Sequence, residues 1–314
     1  MMEKKKALIL INAAAGTGKA ANQILDIVVK LAQHGYEPVV YPVIPKTPFI
    51  SEKILAEHDG QVELVLCSGG DGTLHHVIQG VMAMRHKPTL GYLPTGSTND
   101  FARTLRLPTD FSSALDVAVG GQPFTYDIGR LNGCYFNYVA AFGAFSAVSY
   151  ATSQWLKNVF GRGAYILTSL AELPEHLRYS SHMTITTDKE TIEGNYLFGA
   201  ICNSLSVGGV KLSAAEEVRL NDGKLELVLI KTPQKLQQLR QIVTDLKRGV
   251  LNTPFITFRQ INSARIVADE PTAWTVDGEF GGKSMVTDIK VIPKAITIAA
   301  PKHLTSLKTV KALH

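Results

Sequence analysis

The chain has 314 residues, of which 45% are hydrophobic and 19% are charged. This length favours two domains, and this composition supports a packed core and excludes a disordered chain. The net charge of +5 and the pI of about 9.0 suit an anionic substrate or an anionic membrane surface. Nucleic acid is a weaker interpretation, because no dense Lys/Arg block with interleaved aromatic residues is present.

The cysteines predict a reducing compartment. Cys67, Cys134 and Cys202 are far apart and form neither a CxxC pair nor a disulfide framework, so we expect buried thiols in the cytoplasm. The short apolar run 7–11 ends at Asn12 and predicts a first strand better than it predicts a signal peptide. No run is long enough for a transmembrane helix.

Strands and helices alternate along the first 120 residues. We predict strands over residues 6–12, 39–44, 62–66 and 89–93, with helices after them, for example over about 20–34 and 75–82. This alternation predicts a parallel sheet with helices on both faces. Ligands of such sheets bind at the carboxyl ends of the strands.

Three loops at that predicted edge are rich in glycine and hydroxyl side chains. Residues 12–19 form a small-residue loop ending in a lysine, although a helix-capping turn is an equally good interpretation because the P-loop spacing is absent. Residues 68–73 read Ser-Gly-Gly-Asp-Gly-Thr, and residues 94–103 contain Gly-Ser-Thr-Asn-Asp. Glycine amides at helix starts suit phosphate, and Asp71 suits a divalent cation or a substrate hydroxyl. We therefore expect the three loops to converge on one cleft.

The pattern changes after residues 120–123. Shorter apolar runs and more frequent turns predict an antiparallel β domain, with a helical insertion over about 150–178. Two turns there, residues 219–224 and 276–279, carry carboxylates that also suit ordinary hairpin turns. A helix over 233–250 has apolar residues at helical spacing beside a basic face. It suits packing on its own domain better than it suits an anionic bilayer.

Three segments together are more specific than each alone. Residues 69–73, 94–102 and 276–279 resemble, in order and spacing, the diacylglycerol kinase catalytic family, which includes soluble bacterial lipid kinases and sphingosine kinases. The resemblance extends over nearly the whole chain. The segment 69–73 by itself is shared with NAD kinases and phosphofructokinase-like enzymes.

The resemblance implies an α/β ATP-binding domain over residues 1–122, with a parallel sheet as in NAD kinases and phosphofructokinases. It implies an antiparallel β-sandwich-like lipid-substrate domain over 123–301, an active site between the two, and a final segment 302–314 that packs back on the first domain. Family members often dimerise, so a homodimer is one expected state.

The resemblance also implies roles for individual residues. Asp71 and Asp100 correspond to carboxylates that hold a catalytic Mg²⁺ through water, and the general base comes from Asp277 or Glu279. A second, structural Mg²⁺ is implied at Asp222 with the carbonyls of Arg219 and Lys224. The implied ATP-binding positions are Asn12, Gly16, Ser68, Gly69, Gly70, Asp71, Gly72, Thr73 and Ser97.

The implied activity is transfer of the γ-phosphate of MgATP to the hydroxyl of diacylglycerol or a related lipid, by a cytoplasmic enzyme that works at the inner face of the membrane. Two alternatives stay open. One is a kinase for another acceptor, a sphingoid base or NAD. The other is a lipid- or nucleotide-binding protein with weakened catalysis, because Ala13 and Ala15 replace a proline and a serine, and His75 and His76 replace Asn-Glu, of the usual family pattern.

Overall fold

The computed structural model describes residues 5–12, 23–44, 47, 49–97, 99–143, 179–203, 206–207, 210–211, 219–302 and 304. These residues form two compact units. The first holds the described residues up to Tyr126 and those from Lys294 onward, and the second holds the described residues of Asp127–Pro293. The predicted insertion over 150–178, and all of the segment 302–314 except Lys302 and Leu304, lie outside the described residues.

The first unit alternates strands and helices. Its elements are β1 (Lys5–Ile11), α1 (Ile24–Gln33), β2 (Tyr36–Pro42), α2 (Ser51–Glu57), β3 (Leu64–Gly69), α3 (Asp71–Ala83), β4 (Thr89–Pro94), α4 (Asp100–Thr104), α5 (Phe111–Gly120) and the start of β5 (Gln122–Leu131).

The strands of this unit lie side by side in the order β2-β1-β3-β4, and all three neighbouring pairs are parallel. Alternate residues of β1 and β3 pack against Ile27 and Leu31 of α1 and Leu115 of α5. The residues between them, Leu8 and Val65 among them, are also fully buried. Both faces of the sheet are therefore covered, as parallel strands require.

The second unit is built mainly from antiparallel strands. Its elements are the end of β5, then β6 (Cys134–Phe136), β7 (Val139–Gly143), β8 (Ser181–Thr187), β9 (Thr191–Cys202), β10 (Ser206–Val207), β11 (Val210–Lys211), β12 (Leu225–Lys231), α6 (Leu236–Lys247), β13 (Ile256–Ile261), β14 (Ser263–Val276) and β15 (Glu279–Ala300).

Neighbouring strands of this unit run in the order β13-β12-β9-β7-β14, with β8 paired to both β9 and β14. One face buries a large apolar core that includes Phe142 and Trp274, whose rings meet edge to face with centroids 4.9 Å apart. The predicted β-rich second part of the chain, with its antiparallel pairing, is confirmed.

Helix α6 packs on its own unit. Ile242 and Leu246 join a second apolar cluster with Val228 and Ile230 of β12. The apolar residues of this helix thus serve the core, which was the favoured interpretation of its spacing. No helix in the described part of the chain is long and apolar enough to cross a membrane.

The cysteines are all free thiols. Cys67 and Cys202 are fully buried, and burial raises the pKa of both thiols far above the usual value, so they stay neutral. Cys134 is only partly buried, so the expectation of three buried thiols is wrong at that position.

Candidate active site

The first two predicted loops are joined at the carboxyl ends of β1 and β3. The Asn12 amide Nδ2 donates to Thr73 Oγ1 at 2.9 Å, and the Asn12 backbone N–H donates to the Ser68 carbonyl at 2.9 Å. Ser68 is fully buried, and its Oγ has no hydrogen-bond partner within the described residues. Three predicted ATP-binding residues therefore meet at one place, whereas Gly16 lies outside the described residues.

The connection between β3 and α3 is tighter than the sequence predicts. Strand β3 continues through Gly69 and α3 begins at Asp71, so only Gly70 lies between them. The expectation that residues 68–73 form the turn and that the helix begins near His75 is wrong. Thr73 folds back over Gly69, where a Cβ would lie 2.5 Å from the Thr73 side chain. Glycine is thus required at position 69 for the helix to start so early.

Asp71 and Asp100 are brought together. The Asp71 carboxylate accepts the backbone N–H groups of Asp100 at 3.1 Å and Phe101 at 3.4 Å. Asp71 is therefore both the first residue of α3 and the acceptor for the start of α4. The sequence indicated the pair but not this link.

The third loop rests on the second. The Thr95 N–H donates to the Gly69 carbonyl at 3.0 Å. A Cβ on Gly96 would lie 2.4 Å from the Gly70 Cα, so the two backbones touch where glycine leaves room. Ser97 follows and is exposed to solvent.

The two histidines after the glycine-rich segment have different surroundings. His75 is buried, whereas the His76 Nδ1 lies 2.6 Å from the Glu52 Oε1 of α2. Burial acts to raise the pKa of Glu52, but the hydrogen bond and charge of His76 outweigh it and lower that pKa below its usual value. His76 therefore joins α3 to α2.

The two acidic residues at the turn between β14 and β15 differ sharply. Asp277 is 4% exposed and its carboxylate accepts three backbone N–H groups, from Asn137 at 2.7 Å, Tyr138 at 3.0 Å and Val139 at 3.1 Å. Both turn residues have positive φ, 51° at Asp277 and 91° at Gly278, as a tight two-residue hairpin requires. Glu279, the next residue, is exposed.

Asp127 organises the turn predicted to hold a structural metal. Its Oδ2 accepts the Gly223 N–H at 2.6 Å, its N–H donates to the Leu220 carbonyl at 2.7 Å, and its carbonyl accepts from Asn203 Nδ2 at 2.6 Å. Asp222 accepts the Lys224 N–H at 3.1 Å. Burial raises the pKa of Asp222, and the neighbouring Asp127 adds to that rise.

Within the described residues, no group of three or more His, Cys, Asp or Glu side chains is placed to hold a metal. Arg219 and Lys224 lie at the two ends of the turn around Asp222 and offer only backbone carbonyls as ligands. The residues that the sequence reasoning missed are Asn99 and the structural role of Asp127. Asn99 lies within the segment 94–102 that resembles the family, but that resemblance reveals no role for its side chain.

Comparison with known proteins agrees with this geometry. Residues 6–131 match the family model described as Diacylglycerol kinase catalytic domain, and residues 139–300 match the YegS C-terminal NAD kinase beta sandwich-like domain. The chain is thus a phosphotransferase of the kinase class.

Relatives over almost the full length identify the family. The chain is 31% identical to a diacylglycerol kinase of Staphylococcus saprophyticus, covering 89% of this chain and 90% of the relative. It is 30% identical to a diacylglycerol kinase of Staphylococcus aureus strain MRSA252, covering 99% and 97%. The chain belongs to the diacylglycerol kinase family. Its fold is similar to the crystal structure of a diacylglycerol kinase from Bacillus anthracis, with a TM-score of 0.71, 20% identity, and coverage of 97% and 99%.

Proposed function

We propose that this protein is an ATP-dependent lipid kinase that transfers the γ-phosphate of MgATP to the hydroxyl of diacylglycerol or a related lipid. The observation that carries the proposal is the joining of the three predicted loops at the start of α3, where Asn12 meets Thr73 and Asp71 meets Asp100. Family membership supports the kinase chemistry, and this arrangement supports a nucleotide as its phosphate donor.

The start of α3 suits the phosphates. The helix has 13 residues, its first backbone N–H groups lack intrahelical acceptors, and its dipole favours negative charge. Glycine at positions 69 and 70 keeps side chains away from that point. The buried Ser68 hydroxyl adds hydrogen-bonding capacity that the described residues do not use.

The residues present fit a Mg²⁺ ion beside those phosphates. The Asp71 carboxylate accepts the N–H groups of Asp100 and Phe101 and so lies beside the start of α4. Mg²⁺ is usually bound by one or two carboxylates together with several waters. Asp71 and Asp100 would hold the ion through such water. A bound Mg²⁺ ion would supply positive charge to neutralise the negative charge that develops on the phosphates during transfer.

We assign the general base to Glu279. The Asp277 carboxylate accepts three backbone N–H groups, from Asn137, Tyr138 and Val139, and both of its oxygens are used by them, which leaves it poorly placed to reach a substrate hydroxyl. Glu279 is exposed and directly follows the turn that Asp277 fixes. In the proposed step the lipid oxygen bonds to the γ-phosphorus, the bond to ADP breaks, and the Glu279 carboxylate takes the hydroxyl proton.

The turn around Asp222 fits a second, structural Mg²⁺. Burial and the nearby Asp127 carboxylate make the charge of Asp222 costly, and a cation ligated by Asp222 and the carbonyls of Arg219 and Lys224 would relieve that cost. Oxygen ligands of this kind are those that Mg²⁺ prefers.

The acceptor also sets where the enzyme works. Diacylglycerol-like lipids reside in bilayers, so the proposal places this cytoplasmic enzyme at a membrane surface during turnover. The net charge of +5 is compatible with an anionic bilayer.

The test is transfer of labelled γ-phosphate from ATP to lipid in mixed micelles. The panel contains diacylglycerol, monoacylglycerol and a sphingoid base, with NAD assayed separately, and each is measured with Mg²⁺ and with EDTA. We expect a Mg²⁺-dependent labelled lipid, and chromatography then names the acceptor. Glu279→Gln is the matched inactive control. Label in NAD alone, or ATP binding without any labelled product, would contradict the proposal.

A further inference from the structure

Asn99 uses its whole side chain to hold the third loop. Its Oδ1 accepts the Gly96 N–H at 3.1 Å and the Tyr92 hydroxyl at 3.5 Å, while its Nδ2 donates to the carbonyls of Gly96 at 2.7 Å and Pro94 at 3.3 Å. An Asn side chain has two donors and one acceptor oxygen with two lone pairs. All of that capacity is spent within the protein, so none remains for a ligand.

The backbone of Asn99 is also unusual. It lies in the left-handed region, with φ 51° and ψ 51°, directly before α4. Asn tolerates this region better than most residues that carry a Cβ. The chain thus turns at Asn99 from the loop into the helix that begins at Asp100.

The loop and the helix on either side of Asn99 are fixed to the second loop. Before Asn99, the Thr95 N–H bonds to the Gly69 carbonyl, and Gly96 touches Gly70. After it, the N–H groups of residues 100 and 101 bond to the Asp71 carboxylate. Asn99 is the residue that joins these two attachments, because its side chain holds residues 94–96 while its backbone starts α4.

We infer that Asn99 is a positioning residue for the nucleotide, and the inference rests on the proposed kinase function. It sets the backbone that carries Ser97 on one side and Asp100 on the other, and it touches no reacting atom itself. Misplacing such groups by about 1 Å can cost as much as 10²-fold in rate. The sequence gives no direct signal of this role, because the contacts run from a side chain to backbone groups.

Two variants separate the side chain from the backbone. Asn99→Gly removes every side-chain bond and keeps the positive φ accessible. Asn99→Asp keeps the shape and both accepted bonds, but sets a carboxylate oxygen against the carbonyls of Pro94 and Gly96. The matched control is Asn252→Gly, because Asn252 also has a positive φ of 62° and accepts the Phe258 N–H at 3.0 Å.

The measurements are KM for ATP, KM for the lipid, kcat, the Kd of a non-hydrolysable ATP analogue and the Tm. For both Asn99 variants we expect KM and Kd for the nucleotide to rise at least about tenfold, while KM for the lipid stays near the wild-type value. Asn252→Gly should lower the Tm without changing either nucleotide constant. A purely structural role for Asn99 would give that same control pattern.

The outcomes separate this inference from the proposed function. Asn99 variants that fold and keep the wild-type nucleotide constants would overturn the positioning role. A wild-type protein that binds the ATP analogue but phosphorylates no lipid would contradict the proposed function, and the Kd values of the variants would still decide the role of Asn99. A wild-type protein that binds no nucleotide would overturn both.

Discussion

The Asp277→Asn variant tests whether the Asp277 carboxylate holds backbone amides in place or takes the proton of the substrate. The side chain is buried, and three backbone N–H groups end on it at 2.7, 3.0 and 3.1 Å. An amide in the same place turns its NH₂ toward at least one of those donors and offers only a neutral oxygen to the others. One unsatisfied buried N–H and two weakened bonds amount to about 2–4 kcal/mol of unfolding free energy.

The comparison variant is Glu279→Gln. Its side chain is exposed, so the free energy of unfolding should change by less than about 0.5 kcal/mol. Loss of a general base should lower kcat by about 10²–10⁴-fold. We expect the opposite pattern for Asp277→Asn, a large loss of stability with a smaller loss of kcat in the fraction that stays folded.

Urea unfolding and the labelled-phosphate assay, on the same preparations, test this contrast. The reasoning is refuted if Asp277→Asn unfolds at the wild-type urea concentration and loses as much kcat as Glu279→Gln. That result would make Asp277 the proton acceptor and would leave the three amide bonds without energetic weight.

Three further predictions concern other contacts. Mg²⁺ should raise the Tm of the wild-type protein, whereas Asp222→Asn should show no such rise because the proposed ligand is gone. Thermal unfolding in Mg²⁺ and in EDTA measures the rise, and an equal rise in both proteins would contradict the second Mg²⁺ site. Gly96→Ala places a Cβ 2.4 Å from the Gly70 Cα, so it should lower the free energy of unfolding by about 1–3 kcal/mol and weaken binding of an ATP analogue. Calorimetry that shows wild-type stability and affinity would argue against this close contact. The folded-state pKa of Glu52 is lowered, so its pairing with His76 stabilises the protein above the unfolded pKa of about 4.3 and is lost as pH falls through the folded value. The wild type should therefore be more stable than Glu52→Gln at pH 7, and urea unfolding at pH 3.5 should show a smaller difference. The same difference at both pH values would show that protonation of Glu52 does not weaken the pairing.

Local patterns predicted the position of most elements. The strand predicted over 6–12 is β1 at Lys5–Ile11, and the strand predicted over 89–93 is β4 at Thr89–Pro94. Both are short apolar runs, for which composition and period are sufficient. The glycine-rich segments were also recognised in the sequence, because the tight turns that require glycine depend only on neighbouring residues.

Contacts between distant residues set the limits of that reasoning. The short apolar run 134–141 predicts one strand. It forms the two strands β6 and β7 and breaks at residues 137–138, because their N–H groups donate to the carboxylate of Asp277, a residue distant in the sequence. The short apolar runs 263–268 and 273–276 predict two separate strands. They form the single strand β14, in which a register shift between Val267 and Thr272 accommodates Pro271.

The candidate site also combines features that the sequence predicts with features that it does not. Its chemical groups were visible in the sequence, because glycines, hydroxyls and carboxylates cluster after predicted strands. The bonds that join those groups were not visible. These bonds depend on side-chain directions that only the fold determines. They include the bond from the Asp100 N–H to Asp71, the bond from Asn99 to the Gly96 carbonyl, and the contact of His76 with Glu52.

Strand β15 affects the order in which the chain is able to fold. Its last residues pair with β4, with Ile298 opposite Leu90, and Thr297 Oγ1 lies 2.8 Å from Thr125 Oγ1. The first unit therefore lacks one of its strands until residue 300 has left the ribosome, after residues Asp127–Pro293 of the second unit have been synthesised. Until then β4 is an open sheet edge, which is a site for incorrect pairing between nascent chains. The first unit is accordingly the first to be translated, although it is completed only after residues 127–293 have been made.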